Sequence, residues 1–267
     1  MEKRKISIAA WNVLGPMGSR STPYGLMKEP DPDTCRKIGA LLEHEDPDFA
    51  FFQEVPPLKF LENLDRKHFS EQISSRGEGY CRGIMFYRKD PAGACEIVPG
   101  DPRFPVAAGY VFKSAEGEEL FRFLGIWNNP YPTSKDSQDA YFDNFASILE
   151  HFRSFCHDGQ NLIIAGDTNL ILHAGAYQGD ADMLKKCAER REELDRKLKE
   201  LDLPPVYSVA DNADTLKFKG NGQWYRCDLL FVSDSLREGL TARLGPKDIY
   251  IDGLGSDHLP VFAEFFV

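Results

Sequence analysis

Apolar positions along the chain come in short runs broken by polar loops. Ile6–Trp11, Asp48–Gln53, Arg82–Tyr87, Leu120–Trp127, Asn161–Ala165, Cys227–Val232 and Val261–Phe266 are rich in Ile, Phe and Val and are bounded by Gly, Pro, Asn or Asp, which predicts strands. Between them the apolar period becomes helical. One helix is predicted from a cap at Asp33 to about Glu45, with Ile38, Leu41 and Leu42 on one face. A second covers Ser137–Phe155, where Tyr141, Phe145, Ile148, Leu149, Phe152 and Phe155 share a stripe. A third covers Ala181–Leu201; it is heavily charged, with a thin stripe of Met183, Leu184, Leu194, Leu198 and Leu201, and belongs on the surface. Strands interleaved with helices predict a layered α/β fold. With no internal repeat, low-complexity tract or long linker, a single domain over residues 1–267 is expected. The loop Gly15–Pro32, rich in Gly, Pro and Ser, reads as the rim of a site rather than a boundary.

Composition narrows this picture. Hydrophobic residues at 42% and aromatics at 12% exclude a disordered chain. No run reaches the roughly 18 apolar residues a membrane-spanning helix needs. The charged start MEKRK precedes ISIAAWNVLG, a run too short for a leader and without a clear small-residue cleavage site, so it reads as the first strand. Cysteines at 35, 81, 95, 156, 187 and 227 form neither a CxxC pair nor zinc spacing, and predict buried free thiols in a reducing, cytoplasmic setting. The net charge of -10 opposes coating an extended polyanion, but not engaging one phosphate through bound cations.

The candidate chemistry sits where strands end. ISIAAW runs into Asn12, FAFFQ into Glu54, and NLIIAG into Asp167-Thr168-Asn169; Asp228 opens LLFV, and Ser256-Asp257-His258 leads into LPVFAEFF. Singly, each is an ordinary turn or cap residue, or in His258 a surface hydrogen-bonded imidazole. Jointly they supply what phosphate-ester hydrolysis requires: oxygen ligands for magnesium, a group to orient water, and donors for the charge building on phosphorus.

Trp11-Asn12, Gln53-Glu54, Arg82-Gly83-Ile84-Met85, Gly166-Asp167-Thr168-Asn169, Arg226-Cys227-Asp228 and Ser256-Asp257-His258-Leu259-Pro260 together resemble the motifs of the endonuclease/exonuclease/phosphatase family. Its members include pancreatic-type deoxyribonucleases, apurinic/apyrimidinic endonucleases, deadenylases, neutral sphingomyelinases and inositol polyphosphate 5-phosphatases. The resemblance implies a four-layered α/β sandwich, two central mixed β-sheets packed face to face with helices outside, and a site at one end. It implies a metal held by Glu54, with Asn12 and Asp257 beside it; Asp167 orienting water; Asn169 touching phosphate; and His258 oriented by Asp228. Asn12, Trp127 and Asn128 are the candidate substrate contacts. The implied cofactor is Mg2+, with Mn2+ as substitute, and the implied substrate is a phosphodiester, nucleic acid among the candidates; no membrane is expected, and no protein partner can be inferred from the sequence.

One departure stands out. Many members carry His or Tyr where Phe121–Ile126 runs into Trp127-Asn128-Asn129. Trp127 either stacks on a base or seals the core edge. Leu14 replaces the aspartate of abasic-site enzymes, and no arginine-rich phosphatase signature surrounds Asp228, so the substrate stays open. A phosphodiesterase or nuclease is the leading reading; a small-molecule phosphatase and a non-catalytic binding module are the alternatives. Clustering of Arg20, Lys28, Arg76, Arg82 and Arg88 at the site would favour nucleic acid.

Overall fold

The computed structural model describes residues 3–13, 32–55, 71–75, 83–89, 94–98, 104, 107–129, 138–158, 161–171, 181–200, 207–208, 216–217 and 224–267. Leu14, Arg20, Lys28, Arg76, Cys81, Arg82 and Leu201 lie outside these residues, as do the Gly15–Pro32 loop before Pro32 and the side chain of Arg88.

Two mixed six-stranded sheets carry the fold. The first runs β13 (Thr241–Leu244), β14 (Val261–Phe266), β1 (Lys5–Asn12), β2 (Phe49–Val55), β4 (Gly83–Arg88) and β3 (Glu71–Ser75). The second runs β5 (Cys95–Val98), β6 (Ala107–Lys113), β7 (Glu119–Ile126), β8 (Leu162–Asp167), β12 (Asp228–Val232) and β9 (Tyr207–Ser208). A small ribbon pairs β10 (Leu216–Lys217) with β11 (Trp224–Tyr225).

Each sheet is antiparallel except for one central parallel pair, β1 with β2 and β7 with β8. A parallel pair needs a crossover. α1 (Pro32–Glu45) makes the first, and α2 (Gln138–His151) with α3 (Arg153–His157) the second. α1 opens on Pro32, whose fixed φ suits a first helical position, so Asp33 lies inside the first turn rather than capping it. The helix expected over Ser137–Phe155 is interrupted at Phe152, although Phe152 N–H to Ile148 O and Cys156 N–H to Phe152 O bonds carry helical bonding through the break. α4 (Ala181–Glu200) matches the expected charged helix, burying Leu194 and Leu198.

The layers follow from which faces are apolar. Ile6, Ile8, Phe49, Phe51 and Phe86 from the first sheet meet Tyr110, Phe112, Phe121, Phe123 and Ile163 from the second in one buried cluster. Edge-to-face aromatic pairs cross that interface, Phe49 to Phe112 at 4.9 Å and Phe51 to Phe123 at 5.1 Å between centroids. Each such pair contributes about 0.5–1.5 kcal/mol beyond the area it buries. The outer face of the first sheet packs on α1, and that of the second on α2, α3 and α4. This is the α/β sandwich of four layers expected from the resemblance. The five cysteines of the described residues are free thiols, and no described helix is long and apolar enough to cross a membrane.

The parallel pairs also position chemistry. They place the carboxyl ends of β1 and β2 together, and those of β7 and β8 together. β12 runs antiparallel to β8, so its first residue, Asp228, stands opposite Asp167, the last residue of β8.

Candidate active site

Asn12 joins the two sheets at this rim. Fully buried at the end of β1, its Nδ2 donates to Glu54 Oε1 at 3.0 Å and to Asp167 Oδ2 at 2.9 Å. One amide thus spans a carboxylate from each sheet.

Glu54 reaches that amide through a β-bulge. β2 pairs Phe52 with Met85 and Val55 with Gly83, so Gln53 and Glu54 together oppose Ile84. The extra residue twists the strand and re-aims its side chain. Glu54 sits at φ 56, a left-handed conformation that L residues rarely adopt and that clusters at functional sites.

Asp167 is held from both sides. Its Oδ1 accepts Asn169 N–H at 3.0 Å, and Asn169 Nδ2 lies 3.3 Å from Oδ2. Asn169 is also left-handed, at φ 52. Thr168 donates through its N–H and hydroxyl to Cys227 O at 2.9 and 2.8 Å, tying the loop to the residue before Asp228. Burial pushes the Asp167 carboxyl up to about 7; the charge of His258 opposes this, those of Asp228 and Glu54 reinforce it, and the Asn12 hydrogen bond pulls down.

His258 Nδ1 lies 2.8 Å from Asp228 Oδ2, both residues buried. Ser256 Oγ and Trp11 Nε1 both donate to His258 O, at 2.7 and 3.2 Å. Burial alone would lower the imidazole, but the charge and hydrogen bond of Asp228, with Asp167 and Asp257 beyond, outweigh it and push the group up to about 10. The Asp228 carboxylate thus favours the imidazolium form. Since the folded value exceeds the unfolded one, the pair's stabilisation is full below about pH 6.5 and is lost as pH rises through about 10. Asp228→Asn should drop the imidazole titration by two units or more on the scale of known charge-partner effects, about 1–3 units, as read by NMR in chelator-treated protein. An unmoved titration would remove Asp228 as the orienting charge.

One cluster of the described residues could receive a cation. Asp167, Asp228 and His258 offer ligand atoms within 4.8 Å of one another. A metal there would take His258 as neutral imidazole, in competition with the Asp228 carboxylate, which favours the protonated ring. Glu54 and Asn12, which meet at 3.0 Å, offer oxygens of the kind a hard divalent ion takes. Asp257 Oδ1 is buried and meets no hydrogen-bond donor among the described residues, and a buried carboxylate oxygen of this kind invites a cation. The raising of Asp167 by Glu54 and Asp228 also shows these carboxylates within reach of one another's charge, an imbalance a divalent ion would relieve.

Two expected substrate contacts take other roles. Trp127 is 2% exposed and belongs to the inter-sheet core; of its two readings, the structure has the core-sealing one and not the stacking platform. Trp127→Ala should cost about 3–5 kcal/mol in urea unfolding, and Trp127→Phe less. A rise in KM with unchanged stability would reinstate stacking. Asn128, completely buried, uses its side chain on protein: Nδ2 donates to Thr168 O at 2.5 Å and Tyr141 O at 2.8 Å, and Oδ1 accepts from Asn144. It is a strut behind the site, because its polar atoms are taken up before any substrate arrives. Asn144, Gln138 and Ser256 also belong to this framework; the two helix residues carried no sequence signal, while Ser256 lay inside a motif already noted.

A profile of the Endonuclease/Exonuclease/phosphatase family matches residues 9–258. No curated protein matches the chain by sequence. Among solved structures, TDP2 from Caenorhabditis elegans superposes with a TM-score of 0.64 at 17% identity, over 99% of this chain and 75% of that one. A truncated form of the same protein gives 0.65 at 18%, over 98% of both chains. D. rerio TDP2 complexed with single strand DNA product gives 0.60 at 17%, again over 98% of both. At such identities the likeness is one of fold.

Proposed function

The chain belongs to the Endonuclease/Exonuclease/phosphatase family, metal-dependent hydrolases of phosphoric esters, and within it we propose a Mg2+-dependent nuclease that works as a single domain over residues 1–267. The observation that carries this reading is the Asn12 amide bridging Glu54 and Asp167, beside the buried Asp228–His258 pair.

A divalent cation held by Glu54, with Asn12 and Asp257, would neutralise charge on the phosphoryl and leaving oxygens. The protein's own groups do the rest. Asp167 accepts a hydrogen bond from the attacking water and aligns it with phosphorus. Asn169 would offer a phosphate oxygen the Nδ2–H that here lies 3.3 Å from Asp167 Oδ2, exchanging that long contact for the substrate. His258, held as imidazolium with Nδ1 on Asp228, presents Nε2–H to developing negative charge. Single-stranded DNA is a natural first substrate to try, since a protein of the same fold is seen with such a product. Free thiols at five cysteines of the described residues, four buried and Cys95 half-buried, support a reducing, cytoplasmic setting.

The test is hydrolysis of single- and double-stranded DNA, RNA, bis-p-nitrophenyl phosphate and p-nitrophenyl phosphate, with magnesium, manganese or chelator. Diester cleavage abolished by chelator is expected. Glu54→Gln should raise the magnesium needed for half-maximal rate by about 10- to 100-fold; an unchanged requirement would remove Glu54 from the metal site. Cleavage of the monoester alone would favour a small-molecule phosphatase.

A further inference from the structure

The turn that carries Asp167 and Asn169 is held by residues on another element. Asn128 N–H donates to Asp167 O at 2.8 Å, Asn128 Nδ2 to Thr168 O at 2.5 Å, and Gln138 Nε2 to Asn169 O at 3.0 Å. Three successive carbonyls of the turn are therefore each occupied. Gln138 Oε1 accepts Ile171 N–H at 2.8 Å, and Asn128 O accepts Asn169 Nδ2 at 3.1 Å. Asn128 is itself fixed by Asn144 Nδ2 at 2.7 Å. Gln138 begins α2, and Asn144 lies nearly two turns further along it.

A left-handed Asn169 persists only where its surroundings over-determine it. Here the over-determination comes from Asn128, just after β7, and from α2, which supplies Gln138 and fixes Asn128 through Asn144. We propose that Gln138 and Asn144 are positioning residues that set the catalytic turn, Gln138 directly and Asn144 through Asn128. The side chain of Asn169 is thereby aimed by a helix that contributes no group to the reaction. Small errors of placement are costly in such sites, about a hundredfold in rate for a displacement of about 1 Å. The proposal rests on the reading of Asp167 and Asn169 as reacting groups, and it also makes a structural claim that can be tested without activity.

The experiment uses the full chain with Gln138→Ala, Gln138→Glu and Asn144→Ala. Gln138→Glu keeps the acceptor for Ile171 N–H and loses the donor to Asn169 O. With bis-p-nitrophenyl phosphate, kcat should fall about 10- to 100-fold in all three, with KM, thermal midpoint and magnesium requirement little changed. Amide exchange at Ile171 should quicken about tenfold or more in Gln138→Ala and be largely restored in Gln138→Glu, and the Asn169 side-chain amide resonances should move in Asn144→Ala. Unchanged kcat with the fold intact, or loss of rate only in step with loss of stability, would overturn the proposal. Unchanged exchange and resonances would overturn it whatever the activity. A wild-type protein that cleaves nothing, yet shows the exchange and resonance changes, would sink the nuclease reading and leave the positioning intact.

Discussion

Asp167→Asn should lower kcat by about a thousandfold or more while leaving the fold in place. The substitution keeps shape and removes the charge and one acceptor. Asp167 receives Asn12 Nδ2 and Asn169 N–H on different oxygens. An amide satisfies one of these donors and turns its own NH2 on the other, at a cost of about 1–3 kcal/mol. Against that loss stands the cost of the charge itself. Burial, reinforced by Asp228 and Glu54, raises the carboxyl from 3.8 to about 7, so the folded protein binds this proton more tightly than the unfolded chain does. Stability is therefore lost as pH rises from 3.8 through about 7 and the cost is full at pH 8, so removing the charge offsets the damaged hydrogen bond. Thermal melting at pH 8 should shift by only a few degrees on the scale of about 1 kcal/mol. Retained turnover would exclude Asp167 from the chemistry, and an unfolded variant would make it a structural residue.

A stability effect as large as that of Trp127→Ala is expected at Gly166. It adopts φ +140, and a Cβ built there would lie 1.8 Å from Ile126 O and 3.2 Å from the Phe51 ring. Ile126 O is backbone within the parallel partner strand, so it cannot swing away as a side-chain tip would. Strain and overpacking each cost about 1–3 kcal/mol. Gly166→Ala should accordingly lose about 3–5 kcal/mol in urea unfolding, near the upper end for a point substitution. Gly117 separates the two causes. It has φ +87 with nothing within 4 Å of a built Cβ, so Gly117→Ala should show the conformational cost alone, about 1 kcal/mol. Equal losses in the two variants would mean that the approach to Ile126 contributes nothing.

How much of this was legible depended on how local each signal was. β14 matches the expected strand Val261–Phe266, and β1, β2, β4, β7, β8 and β12 lie within a few residues of their expected bounds, because central strands buried on both faces read as apolar runs. β6, equally central, was not foreseen, since Ala107, Ala108 and Gly109 dilute its apolar signal; Gly109 is small because the Phe155 ring would lie 2.8 Å from a Cβ there. The edge strands β3, β5, β9 and β13 lack such a run, being short and, in β5 and β13, exposed or half-buried at every position.

From the sequence alone came the chemistry on offer: polar residues at strand ends, in an order that resembles one family. The tertiary structure decided which of them meet. Asn12 and Asp167 lie far apart along the chain, and only the face-to-face packing of two sheets brings them to 2.9 Å. Neither the bulge that aims Glu54, nor the left-handed turn at Asn169, nor the clamp from α2 has a local signature, because each exists only against a neighbouring element. The same reason separates Asn128 and Trp127 from the residues beside them: whether a polar or aromatic side chain at a strand end faces a substrate or the protein interior is set by what packs over it.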